Sequence, residues 1–126
     1  MKLRIKGNSL RLRVSPSEME RLQSAGRIEE IIHFAPDPDA KLTYALEQAE
    51  SEQELTVRYR PQEVTVVLSG ESVRKWAQTE QVGVYGVVDV GRDQLTLAVE
   101  KDFACLDRSD ADNEDAFANP SSAKAC

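Results

Sequence analysis

The chain has 126 residues, 40% hydrophobic and 30% charged, which suits one soluble domain with its own core and lies far from disordered or membrane-embedded compositions. Its formal net charge of -6 excludes a protein whose whole surface is a nucleic-acid footprint. No apolar run reaches the roughly 18 residues of a membrane helix and no secretion-signal stretch opens the chain, so a cytoplasmic protein with no membrane partner is expected.

In chain order, Leu3 and Ile5 alternate with Lys2, Arg4 and Lys6, then Leu10, Leu12 and Val14 with Ser9, Arg11 and Arg13. This period of two predicts two strands, joined by a tight turn at Gly7-Asn8, residues that tolerate positive φ. Ser15-Pro16-Ser17-Glu18 supplies a cap, a proline at the first helical position and the glutamate of a capping box. A helix follows, with Met19 and Leu22 on its buried stripe and Gly26 at its end. The β-branched run from Ile28 to Phe34 predicts a third strand with Phe34 facing inward and His33 facing solvent. Pro36-Asp37-Pro38-Asp39 breaks the chain before a fourth strand of Leu42, Tyr44 and Leu46.

The same order then repeats. Leu55, Val57 and Tyr59 alternate, Pro61 marks a turn, and Val64, Val66 and Leu68 alternate. Ser69 takes the cap of a second helix striped by Val73, Trp76 and Ala77. Val82, Val84 and Val88 lead through Gly91-Arg92-Asp93 to a last strand of Leu95, Leu97 and Val99. A shift of 54 positions places Ser15 on Ser69, Met19 on Val73, Leu22 on Trp76 and Ile28 on Val82. The expected fold class is α+β, mostly β. Two ββαββ halves, about 1–50 and 54–106, form one domain over residues 1–106, a small closed or partly closed barrel with two short helices and a pseudo-twofold axis. Closure hides strand edges from unwanted pairing. The alternative is two layers, with both helices on one face of an open sheet. From 107 to 126 the pattern stops, and an irregular acidic tail is expected, with Phe117 as the one residue able to anchor it in a groove.

Charge is unevenly spread. Residues 1–27 carry Lys2, Arg4, Lys6, Arg11, Arg13, Arg21 and Arg27 against Glu18 and Glu20, whereas acidic residues dominate from Glu100 onward. Such polarity steers a charged partner or lets the tail shield the basic face. The sole histidine, His33, reads as a surface residue. Cys105 reads as a packed thiol, and Cys126 lies at the end of a polar segment with no metal-ligand spacing to Cys105. Neither a nucleophile elbow nor a glycine-rich phosphate loop is present. Asp110 to Asp115 lacks the glycine and distant glutamate of a calcium loop and reads as a solvated acidic segment. No catalytic residue, metal or cofactor is therefore assigned.

The run Gly7-Asn8-Ser9-Leu10-Arg11-Leu12-Arg13-Val14-Ser15-Pro16 resembles the opening of the AbrB and MazE type of swapped-hairpin regulators and antitoxins, over about residues 3–35. That resemblance implies a ββαββ unit that normally dimerises into one barrel, and a DNA-binding role for Asn8 and Arg13, with Lys6 and Arg11 as neighbouring basic groups. The chain departs from the pattern at Lys6, where the family has an aromatic residue, and at Pro16, one place late. Val67 aligns with Arg13, so the second half has no matching basic arm, and DNA binding then requires dimerisation. The whole chain also resembles a bacterial family of uncharacterised proteins opening with an MKLRIKGNS-like run and carrying the Glu100 to Leu106 segment.

Three functions follow as expectations. The first is a non-enzymatic binding or interaction module for an unknown protein or small ligand. The second is a DNA-binding transcriptional regulator using Lys6, Asn8, Arg11 and Arg13. The third is a small enzyme with carboxylate chemistry near the last strand, where Asp102 or Asp107 would converge with Glu100.

Overall fold

The computed structural model describes residues 1–103 and 115–118. Among these residues eight strands and two helices follow one another in the order ββαββ–ββαββ. Strands β1 (Lys2–Ile5) and β2 (Ser9–Val14) form an antiparallel hairpin. Its two-residue turn is closed by reciprocal backbone bonds between Lys6 and Ser9, 3.2 and 3.1 Å. Gly7 occupies the left-handed region at φ 54°, as a tight hairpin turn of this kind requires.

Helix α1 (Pro16–Ala25) starts where the capping box places it. The Ser15 side chain accepts from the Glu18 backbone N–H, and the Glu18 carboxylate accepts from that of Ser15. It ends at Gly26, φ 82°. Strands β3 (Arg27–His33) and β4 (Lys41–Ala49) form the second hairpin, and β5 (Leu55–Arg60) and β6 (Glu63–Ser69) the third. Helix α2 (Gly70–Gln78) is capped by Ser69, and β7 (Gly83–Asp89) and β8 (Gln94–Lys101) complete the repeat.

The strands form two four-stranded sheets, ordered β1-β2-β8-β7 and β3-β4-β6-β5. Each half gives its first hairpin to one sheet and its second hairpin to the other. The hairpins join through parallel pairs, β2 with β8 and β4 with β6. Exchanging the halves maps the pairing of one sheet onto that of the other.

Of the expected closed or partly closed barrel, the mostly β class with two helices holds, but neither sheet closes on itself: the described strands form two open sheets facing one core. The edges of opposite sheets are bridged by side chains instead of a ladder. Before β1 the Met1 terminal ammonium reaches Glu30 of β3 at 3.2 Å and also pairs with Glu18 of α1. Beside β7, Leu55 of β5 lies over Gly86, where an added Cβ would come within 3.0 Å of it. Charges on the strand edges, Arg4, Glu29 and Arg58 among them, discourage pairing with another chain.

The core between the sheets is built from Leu12, Val14, Leu46, Leu68, Leu97 and Val99, with Leu22 of α1 and Val73 and Trp76 of α2. Trp76 is fully buried and donates its indole N–H to Val82 O at 3.0 Å, which satisfies its polar atom.

The inward assignment of Phe34 is corrected, and the alignment of Ile28 with Val82 is shifted. Phe34 is 67% exposed, because the β3–β4 hairpin runs past the end of the core and leaves Ile31 and Ile32 half exposed as well. Val82 precedes β7 and is also exposed. From helix cap to strand start the second half is two residues longer, Ser69 to Gly83 against Ser15 to Arg27, so Val84, paired with Val99, takes the place that Ile28, paired with Leu46, holds in the first half.

Of the tail, Phe117 forms a parallel bridge with Phe103, its ring meeting that of Phe103 edge-on at 6.0 Å. Its backbone N–H donates to Asp102 O at 2.8 Å, so it is indeed an anchor. Cys105, Asp107, most of the acidic segment Asp110 to Asp115, and Cys126 lie outside the described residues.

Candidate anion-binding face

Side chains alternate along β1 and β2, so the apolar set faces the core and Lys2, Arg4, Lys6, Arg11 and Arg13 all fall on the outer face of the first sheet. The antiparallel register sets Lys2 opposite Arg13 and Arg4 opposite Arg11. Parallel pairing with β8 then brings Thr96, Ala98 and Glu100 alongside, with Arg11 opposite Ala98 and Arg13 opposite Glu100. Four of the sequence-derived residues are thus on one hairpin, but they do different things.

Asn8 is engaged within the fold. Its side-chain amide donates to Gln94 O at 2.8 Å, and its carbonyl accepts from the Thr96 backbone N–H at 3.1 Å, tying the hairpin turn to the start of β8. Arg11 and Arg13 approach the half-buried Glu100 through their Nε atoms, at 3.2 and 3.8 Å. Glu100 Oε1 nevertheless accepts no aligned hydrogen bond, while the Tyr85 hydroxyl donates to Oε2 at 2.8 Å. Burial, then the neighbouring Glu100 carboxylate, push the Tyr85 phenol up to about 12.

Lys6 and Arg4 form no ion pair with a described residue. Together with Ser9, Arg11, Thr96 and Ala98 they line a groove of about 200 Å³ on this face. Arg4 and Lys2 are members of the face that the resemblance does not single out. Simple alternation of cations along β1 identifies them.

The second sheet shows the same ladder position used differently. Glu47 of β4 lies opposite Val67 as Glu100 lies opposite Arg13. Arg58 donates to both oxygens of Glu47, at 3.0 and 3.2 Å, and Arg27 Nη1 donates to it at 3.0 Å. Arg27 also meets Glu29 and Glu63. Hydrogen bonding from Arg58 outweighs burial and, with Arg27, holds the Glu47 carboxyl below its ordinary range. Arg27 and Arg58 of this sheet are thus drawn onto carboxylates, whereas Arg4 of the first forms no ion pair with a described residue.

The carboxylate site expected near the last strand does not form among the described residues. Asp102 pairs with Lys2 at 3.0 Å and Glu100 faces arginines, while the groove beside them is lined by Arg4, Lys6, Arg11, Ser9 and Thr96 with Leu10 and Ala98 and holds no carboxylate among the described residues. Asp107 lies outside the described residues, and no group of three or more His, Cys, Asp or Glu among those described is arranged to hold a metal ion. His33 is exposed. Lys101 is mostly buried, its Nζ donating to Thr79 O at 2.8 Å and lying 5.4 Å from the Phe117 ring. There it satisfies a carbonyl beyond α2 and seats the tail, and burial holds its pKa below the ordinary lysine value. No helix among the described residues is long and apolar enough to cross a membrane.

The chain belongs to the DUF7009 family, a family of unknown function, which matches residues 1–121. Comparison with curated proteins and with solved structures returned no match.

Proposed function

We propose that this protein is a non-enzymatic binding module, one domain over residues 1–106 with an acidic tail, whose basic sheet face receives an anionic partner. The observation that carries the reading is the placement of Arg4 directly opposite Arg11 and of Lys2 opposite Arg13. Like charges directly opposite on an antiparallel pair destabilise it, by roughly 0.2–1 kcal/mol. Lys2 and Arg13 have Asp102 and Glu100 beside them, but Arg4 faces Arg11 with no carboxylate partner of its own among the described residues, and a local rule broken there supports a surface kept for binding. In a chain of net charge -6, such a patch also attracts anions selectively to one side.

The test is titration of the full chain with a heparin oligosaccharide and with pooled duplex DNA over a range of salt concentrations. Salt-sensitive binding that weakens about tenfold in Arg4→Ala with Lys6→Ala is expected. Absence of salt-sensitive binding to either polyanion, or indifference to the double substitution, removes the reading.

A DNA-binding regulator of the swapped-hairpin type is the second reading. It is favoured by Gly7-Asn8-Ser9 at the tip of the basic hairpin and by the exchange of hairpins between the two halves. Because the groove-forming pair Arg4 and Lys6, free of ion pairs among the described residues, lies on one hairpin only, a duplex would meet two chains. A stoichiometry of one chain per duplex would count against it.

A further inference from the structure

Resting on that reading, we propose that the groove between Arg4, Lys6 and Arg11 is a site for a single phosphate monoester group, and that Glu100 is a positioning residue for Arg11. A volume of about 200 Å³ falls below the roughly 300–1,000 Å³ of sites that enclose a whole drug-sized ligand, so the groove suits one compact group. Its chemistry is that of a doubly charged oxyanion site, with two cations lacking any carboxylate partner among the described residues and a third that meets its carboxylate through Nε at 3.2 Å.

Arg11 forms no hydrogen bond through its Nη atoms to a described residue, nor does Arg13. The planar guanidinium fork matches phosphate oxygens two at a time. Glu47 shows what a carboxylate at this ladder position does when it captures arginines fully, taking three N–H donors from Arg27 and Arg58. Glu100 instead spends one oxygen on the Tyr85 hydroxyl and leaves the other without an aligned donor. It therefore orients Arg11 without saturating it. Thr96, whose hydroxyl makes no hydrogen bond to a described residue, adds a donor to the rim.

The experiment is calorimetric titration of the full chain at fixed ionic strength with phenyl phosphate and with a short phosphoserine peptide. Dimethyl phosphate serves as the diester control, and burial of Trp76 is followed by fluorescence as the check on folding. Binding of either monoester, at least about tenfold tighter than dimethyl phosphate and lost in Arg4→Ala with Lys6→Ala, supports the site. Tighter binding of phenyl phosphate assigns a small-molecule source, and tighter binding of the peptide a phosphorylated protein. Glu100→Gln separates positioning from bulk charge. A purely electrostatic face would bind more tightly after losing a negative charge, whereas a positioned Arg11 loses affinity several-fold.

Tyr85→Phe, at an exposed ring, gives a smaller loss in the same direction and serves if Glu100→Gln unfolds. Tighter binding in Glu100→Gln, or in Tyr85→Phe where that variant stands in for it, overturns the positioning role. Equal binding of monoester and diester, or none of either, overturns the site. If heparin binding still depends on Arg4 and Lys6 in that case, the basic-face reading survives; if it is also absent, both fall.

Discussion

Glu47 and Glu100 occupy the same ladder position in the two sheets, each two residues beyond an alanine and four beyond a threonine on the outer face of β4 or β8. Around Glu47, Arg27 stands opposite it on β3 and Arg58 reaches it from β5. Around Glu100 the position opposite on β7 is Gly83, and the arginines come from β2 instead. One repeated carboxylate thus closes one face and leaves the other open.

Closure of the second face makes stability depend on pH. Arg58, with Arg27, depresses the Glu47 carboxyl in the folded state below its value near 4.5. A depressed carboxyl contributes stability that is fully present above the unfolded value and is lost as pH falls through the folded value. Urea unfolding should find Glu47→Gln less stable than the parent at pH 7, and the difference should shrink steadily below about pH 4.5. A gap that stays constant down to pH 3 would contradict the pairing.

The open face carries the opposite trade. Arg4→Glu converts a like-charge pair with Arg11 into an attractive one, and stability should rise by about 0.2–1 kcal/mol. Heparin affinity should fall at the same time. A variant that loses stability, or keeps its affinity, would argue that the cations on this hairpin are not in conflict.

Most of the fold was legible in the sequence because its signals are local. Ser15 and Ser69 cap helices as their spacing implies, Gly26 ends the first, and the shift of 54 residues aligns Met19 with Val73 and Leu22 with Trp76, all buried. What local pattern could not convey was which hairpin joins which, since the pairing of β2 with β8 spans nearly the whole chain. The longer segment before β7 also displaced the expected partner of Ile28 from Val82 to Val84. Leu42-Thr-Tyr-Ala-Leu-Glu47 and Leu95-Thr-Leu-Ala-Val-Glu100 repeat at a shift of 53, a stronger match than any at 54. That motif marks both ladder glutamates. Alternation placed the basic residues on one face, but only the three-dimensional contacts reveal that Asn8 is tied up, that Arg11 meets Glu100 and that Arg4 and Lys6 have no carboxylate partner among the described residues.

Gly83 is needed for its lack of a side chain. A Cβ there would lie 2.5 Å from Val99 O and 3.0 Å from the Tyr85 hydroxyl. The first contact is with backbone inside the β7–β8 ladder and cannot be relieved by a rotamer change. Gly83→Ala should destabilise the protein by about 1–3 kcal/mol, as measured by thermal or urea unfolding. It should also shift the Tyr85–Glu100 pair enough to alter Tyr85 fluorescence. An unperturbed melting curve would show that the strands are less closely packed at this point.

Exchange of hairpins makes the two halves interdependent for folding. A segment of residues 1–52 contains β1 to β4, yet β2 would lack β8 and β4 would lack β6, leaving two isolated hairpins and an uncovered Leu12, Val14 and Leu46. Isolated two-stranded hairpins are marginal in water, so neither half should fold as a monomer. Expressed alone, each half should show no cooperative unfolding transition at low concentration. Mixed in equal amounts, they should regain one, with Trp76 passing from a solvated to a buried emission. A half that unfolds cooperatively as a monomer, by ultracentrifugation and circular dichroism together, would mean that its own two hairpins can pair, and the exchanged topology would no longer be what holds the chain together.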